Sequence, residues 1–133
     1  MFKDLNISSE DTTSEVEAKI KEKLGVEFSA MKEALSTFVK EKAEELSLEF
    51  NNIAPYGDYG ELLEDNEKMV NFLKEEASLT KNWEISHFMQ SDVDPSLLQF
   101  IFNNSSVDDG NSFQGHVFVS KNGKIKHAFV RLD

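Results

Sequence analysis

Three histidines are the residues of this chain whose type and placement could support catalysis or metal binding. His116 and His127 lie on two predicted strands that flank the turn signal Asn122-Gly123. A two-residue turn at that signal makes the two histidines diagonal neighbours on one sheet face, with backbones roughly 7 Å apart. These two histidines could share a metal ion or act as an acid–base pair, and with His87, which lies on another predicted strand, they could form a three-histidine zinc site.

The remaining candidate residues match no catalytic or metal-binding motif. Asp92-Val93-Asp94 and the run 108–111 lack the acidic spacing, the glycine and the final glutamate of an EF-hand loop. No HExxH helix, phosphate-binding glycine loop or nucleophile elbow is present, and there is no cysteine. We therefore expect no cofactor, and we favour a binding protein over an enzyme.

The predicted strand face that carries the histidines is too apolar to be freely solvated. It also carries Phe118, Ile125, Phe129 and Arg131, whereas the opposite face carries small and aliphatic residues typical of a core. Either the rest of the chain covers this His/Phe face, or it binds a ligand or a second copy of the chain. The sequence leaves these alternatives open.

Negative charge is concentrated in one half of the chain. The net charge is −11, and the stretch 43–67 carries eight carboxylates and no basic residue. Such a field attracts positively charged partners, and it argues against binding nucleic acid phosphates or an anionic membrane surface.

Aromatic side chains accompany these carboxylates, a combination that suits binding to a basic protein surface. The predicted partner-binding residues are Glu45, Glu49, Tyr56, Asp58, Tyr59, Glu61 and Glu64. Our first hypothesis is a small inhibitor or neutraliser that occludes a basic site of a toxin or nuclease. Bacterial immunity proteins and phage anti-defence proteins have similar size and charge. A ligand or metal protein using the His/Phe face, and a structural or oligomer-forming domain, are the alternatives.

The chain shows no apolar stretch long enough for a signal peptide or a membrane span, so we expect a cytoplasmic protein. Its 133 residues suit a single domain, with 1–12 as a loosely held segment.

Helical periodicity dominates the first part of the chain. The spacing predicts helices over about 14–24, 27–50 and 59–77. Ser14 and Glu17 have capping-box spacing, and Gly25 suits a left-handed helix end.

The period changes to two after Thr80. Strands are expected over 83–90, 97–102, 113–120 and 125–132, and a short helix from Asp94-Pro95 competes with the second strand. Helices followed by strands predict an α+β fold, with about three N-terminal helices packed on a four-stranded antiparallel meander.

Overall fold

A computed structural model of the protein describes residues 12–53, 66–106 and 113–132. The helices are α1 (Thr13–Leu24), α2 (Phe28–Glu41), α3 (Ala43–Ile53) and α4 (Asn66–Phe72), and α4 continues into a π-helical turn (Leu73–Ala77). A 3₁₀ turn (Thr80–Asn82) leads into strands β1 (Trp83–Gln90), β2 (Leu97–Asn104), β3 (Phe113–Ser120) and β4 (Ile125–Leu132).

The four strands form one antiparallel sheet in the order β1-β2-β3-β4, so the predicted α+β fold with a meander is confirmed. The competing helix from Asp94 is wrong, because Leu97 enters β2 directly after a turn. Residues 1–11, at the predicted loose N-terminal segment, lie outside the described part of the chain.

The ends of α1 are set by Thr12 and Gly25. The Thr12 Oγ1 accepts a hydrogen bond from the Glu15 amide at 3.2 Å, so the predicted cap at Ser14 is wrong. Thr12 and Glu15 have the same spacing as the predicted pair, two residues earlier. Gly25 ends the helix with φ +68°, as its position predicted.

The predicted helix over 27–50 is divided at Lys42. Buried residues recur at steps of four from Met31 through Leu35 and Val39 to Ala43. Each such step advances about 40° beyond a full turn, so the apolar stripe of a straight helix would rotate away from the core. The change of direction at Lys42, whose φ and ψ are −109° and 17°, allows α3 to bury Ala43 as well.

The third predicted helix is observed in its second half. Residues 54–65 lie outside the described part, and α4 and the π-helical turn cover 66–77. The Ser78 amide donates to the Leu73 carbonyl at 3.0 Å. Buried Asn104 then donates from Nδ2 to the Ala77 carbonyl at 2.8 Å, which ties this helix end to β2.

The β3–β4 turn contains three residues rather than the predicted two. The Gly123 amide donates to the Ser120 carbonyl, the Ser120 amide donates to the Lys124 carbonyl, and Gly123 has φ +86°. The extra residue pairs Val119 with Ile125, and a bulge then restores the predicted register from Phe118 onward. Ile125 therefore packs against the core, and its predicted place on the His/Phe face is wrong.

A second bulge, between Ile85 and His87, changes the face assignment in β1. Trp83 and Ile85 pair with the helix-facing side of β2, whereas His87 pairs with Ile101 on the opposite side. The regular alternation predicted for 83–90 placed all three residues on one face, and that assignment is wrong beyond the bulge.

The helices cover one face of the sheet. Phe28 of α2 packs edge-on against Phe100 and Phe102, with ring centroids 6.0 and 6.1 Å apart. Leu35, fully buried in the same helix, lies directly over Gly115 of β3. The opposite face of the sheet, which we call the outer face, carries the three histidines.

Replacing Gly115 with alanine should destabilise the protein. The added Cβ would lie 2.7 and 2.8 Å from the two methyl carbons of Leu35, which are enclosed by the core. Overpacking of this kind costs about 1–3 kcal/mol in the free energy of unfolding, measurable by chemical denaturation. The same substitution in a Leu35→Ala background should cost much less. An equal cost in both backgrounds would show that Leu35 is not the obstacle.

Candidate partner-binding surface

The exposed side of α3 carries three carboxylates around a leucine. Glu44, Glu45, Leu48 and Glu49 are all exposed, and we call this group the acidic α3 face. The opposite side of the helix buries Ala43, Leu46 and Ser47. The helix period thus separates a core side from a charged side.

Within the part of the chain that the structure describes, these carboxylates are largely uncompensated. The Lys42 Nζ approaches a Glu45 carboxylate oxygen at 3.8 Å, and both side chains are solvated, so this pair contributes little. Within the described residues, Glu44 and Glu49 form no ion pair. By contrast, the Glu17 and Lys32 side chains on α1 and α2 meet at 2.7 Å and are mostly buried.

Leu48 is the apolar residue of this face, with 59% of its surface exposed. A large aliphatic side chain surrounded by charge is a suitable central contact for a protein interface. Leu48 and Glu44 were not among the predicted binding residues. Helix periodicity could have identified Leu48, because it lies about 200° around the helix from Leu46, which is buried.

Two of the predicted partner-binding residues, Glu45 and Glu49, share the acidic α3 face. The other five lie outside the described part of the chain, and their role stays a prediction. They are Tyr56, Asp58, Tyr59, Glu61 and Glu64.

The outer face brings the three predicted histidines onto one surface. His87 pairs with Ile101, and Ile101 pairs with His116, so an isoleucine lies between these two histidines. His116 pairs with Phe129, and the two rings stack at 5.0 Å. His127 lies diagonally beyond, 5.4 Å from the Phe129 ring.

The three imidazoles occupy different environments. His116 is 2% exposed, and its Nδ1 lies 2.9 Å from the Gln99 Nε2. His87 and His127 are exposed, and the Ser86 hydroxyl lies 3.1 Å from the His87 Nδ1. Across the described ranges, no group of three His, Cys, Asp or Glu residues is arranged to hold a metal ion. The metal or ligand role of these histidines stays a prediction.

The Asp94 carboxylate stabilises the turn between β1 and β2. Its carboxylate accepts hydrogen bonds from the Ser96 hydroxyl at 2.6 Å and the Ser96 amide at 3.0 Å, and these lower the pKa of Asp94. The group is fully solvated and closes the β1–β2 turn.

Comparisons with protein-family models, curated proteins and solved structures find no match for this chain. None of the described helices is long and apolar enough to cross a membrane.

His116 should carry its proton on Nε2. The Gln99 amide nitrogen donates to Nδ1, so a neutral imidazole in this position keeps its hydrogen on the other nitrogen. Long-range ¹H–¹⁵N correlation spectra distinguish the two tautomers directly. His127, which is exposed, serves as the control and should show averaged tautomers. A proton found on His116 Nδ1 would contradict this arrangement.

Proposed function

We propose that this protein is an acidic binding protein that docks on a basic site of another protein and blocks it. The observation that carries the proposal is the acidic α3 face, where exposed carboxylates surround exposed Leu48 and form no strong ion pair with any described residue. Carboxylates of this kind accelerate the encounter with a basic surface, and the leucine supplies apolar contact area once the two proteins meet.

The proposed mechanism is occlusion. Negative side chains occupy a cleft whose basic residues normally hold phosphate groups, as in a nuclease or a nucleic-acid-directed toxin. Such a protein would work in the cytoplasm alongside its target. The carboxylates and tyrosines of 54–65 directly follow α3 in the sequence, and we propose that they extend the same contact surface.

Ligand or metal binding by the outer face has less support. The Gln99 amide engages the His116 Nδ1, so a metal bound through that nitrogen must displace it. Ile101 separates His116 from His87 in the sheet. A catalytic or metal role would therefore require a rearrangement that partner docking through α3 does not.

Charge reversal of the acidic α3 face should slow association with the partner. A basic protein captured on the wild-type chain is tested against the triple variant Glu44→Lys, Glu45→Lys, Glu49→Lys. We expect the association rate to fall by roughly 10- to 100-fold at low salt, because the attraction becomes repulsion. Stopped-flow measurements between about 20 and 200 mM salt should show a steep decline for the wild type and a shallow one for the variant.

The matched control reverses three exposed carboxylates elsewhere: Glu22→Lys, Glu33→Lys and Glu84→Lys. It changes the net charge by the same amount, so it should lose much less of the rate. An equal fall in the association rate of both variants would show that net charge, and not the acidic α3 face, determines the rate. A wild-type rate that does not respond to salt would contradict steered docking.

Leu48→Ala should act on dissociation instead. In the complex the Leu48 side chain would be buried against the partner. Removing it should speed dissociation by about tenfold or more and leave the association rate nearly unchanged. Stability should change by less than about 0.5 kcal/mol, because Leu48 is exposed in the free protein. Leu79→Ala, at an exposed leucine outside α3, is the control. An unchanged dissociation rate in Leu48→Ala would remove Leu48 from the interface.

A further inference from the structure

The hairpin formed by β3 and β4 is basic, although the chain as a whole is acidic. Residues 113–132 contain four basic side chains and no carboxylate, within a chain of net charge −11. The basic residues are Lys121, Lys124, Lys126 and Arg131, and all four are exposed. Within the described residues, the three lysines form no ion pair.

Strand β4 is an edge of the sheet. It pairs with β3 on one side, and no described strand lies on its other side. From His127 to Leu132 it runs in regular register with β3, while α2 and α3 pack against it from the helix side. An edge of this kind presents a rigid row of backbone amides and carbonyls that can pair with another strand.

The other edge, β1, is less suited to pairing. It contains the bulge at Ser86 and the carboxylate of Glu84, and α1 contacts it. Bulges disturb the hydrogen-bonding row that an added strand needs. The bulge of β4, at Lys126, lies at the hairpin end and leaves His127–Leu132 in regular register. The two edges therefore differ in the length of their regular stretch and in charge.

We propose that β4 is a docking edge that accepts an acidic extended segment of a partner protein as a fifth strand. Backbone hydrogen bonds would supply much of the affinity, and side chains at alternate positions would supply specificity. On one face of the added strand, carboxylates would lie near Arg131 and, at the hairpin end, near Lys126. Apolar residues at the alternate positions would lie on the helix side of the sheet, beside Ala128.

Charge selects this occupant over a second copy of the chain. In an edge-to-edge pairing of two copies, each β4 brings the basic side chains of its own hairpin, and no carboxylate, to the shared edge. Like charges placed directly opposite one another are destabilising. An acidic strand meets the same positions with opposite charge.

The hairpin tip lies far from the start of the acidic α3 face. The hairpin tip contacts the start of α2, because a Cβ at Gly123 would lie 4.0 Å from the Val26 Cα. The 14 residues of α2 then place the start of α3 about 21 Å away. The far end of β4 contacts α3, so charge reversal in α3 should preserve or strengthen binding of an acidic peptide at β4, whereas it should slow docking through the acidic α3 face. The two proposals therefore fail on different results.

The probe is a labelled peptide of about seven residues that alternates glutamate and valine, with blocked ends. Fluorescence anisotropy should show that it binds roughly tenfold or more tightly than the same peptide N-methylated at alternate amides. The methylated peptide keeps its charge but cannot pair along an edge. A lysine–valine peptide should not bind. Hydrogen exchange should slow at those β4 amides that do not bond to β3.

The variant Lys124→Glu, Lys126→Glu should weaken binding of the acidic peptide roughly tenfold. Lys40→Glu, Lys81→Glu, at two exposed lysines outside the hairpin, is the matched control and should bind nearly as the wild type does. Circular dichroism and the melting temperature establish that both variants are folded.

Four results would overturn the proposal. The first is equal binding of the methylated peptide, and the second is an absence of binding to the acidic peptide. The third is preferential binding of a single-stranded oligonucleotide, which would make the hairpin a site for nucleic acid. The fourth is a dimer in sedimentation that the acidic peptide does not dissociate and that β4 substitutions abolish.

Discussion

The packing of α2 on the sheet is the contact on which the rest of the structure depends. Leu35 can lie against the backbone of β3 because Gly115 has no side chain there, and Phe28 closes the same interface against two phenylalanines of β2. This contact fixes which sheet face is covered. It therefore also fixes which residues remain outside: the histidines of the outer face, the edge strand β4 and the exposed side of α3.

The charged side chains outside the core are distributed unevenly over the surface. Lys32 and Glu17 pair where α1 and α2 meet, so opposite charges are matched where the helices pack together. Among the described residues, the acidic α3 face has a single weak ion pair, at Lys42, and the lysines of the hairpin have none. Repulsion among the carboxylates of α3 is tolerated because the opposite side of the helix buries Ala43 and Leu46 in the core.

Periodicity predicted the elements well, because burial on one side imposes a regular repeat on helices and strands alike. Periodicity failed to predict the sheet faces where a strand contains one extra residue. The bulges at Ser86 and Lys126 move His87 and Ile125 to opposite faces from those predicted, and no local residue type announces either shift. Of the residues on the acidic α3 face, Glu45 and Glu49 were named from composition, whereas naming Leu48 requires knowing which side of α3 is buried.

The distance between the two charged surfaces bears on how the protein can work. The hairpin tip and the start of α3 lie at opposite ends of α2, about 21 Å apart, whereas charges in physiological salt are screened over about 8 Å. The lysines at the hairpin tip therefore do not neutralise the start of α3, although the far end of β4 contacts that helix. A net charge of −11 describes the chain poorly, because a basic edge and an acidic helix coexist in it. A partner that carries both a basic cleft and an acidic extended segment could contact both surfaces at once, and its avidity would depend on whether its own geometry spans α2.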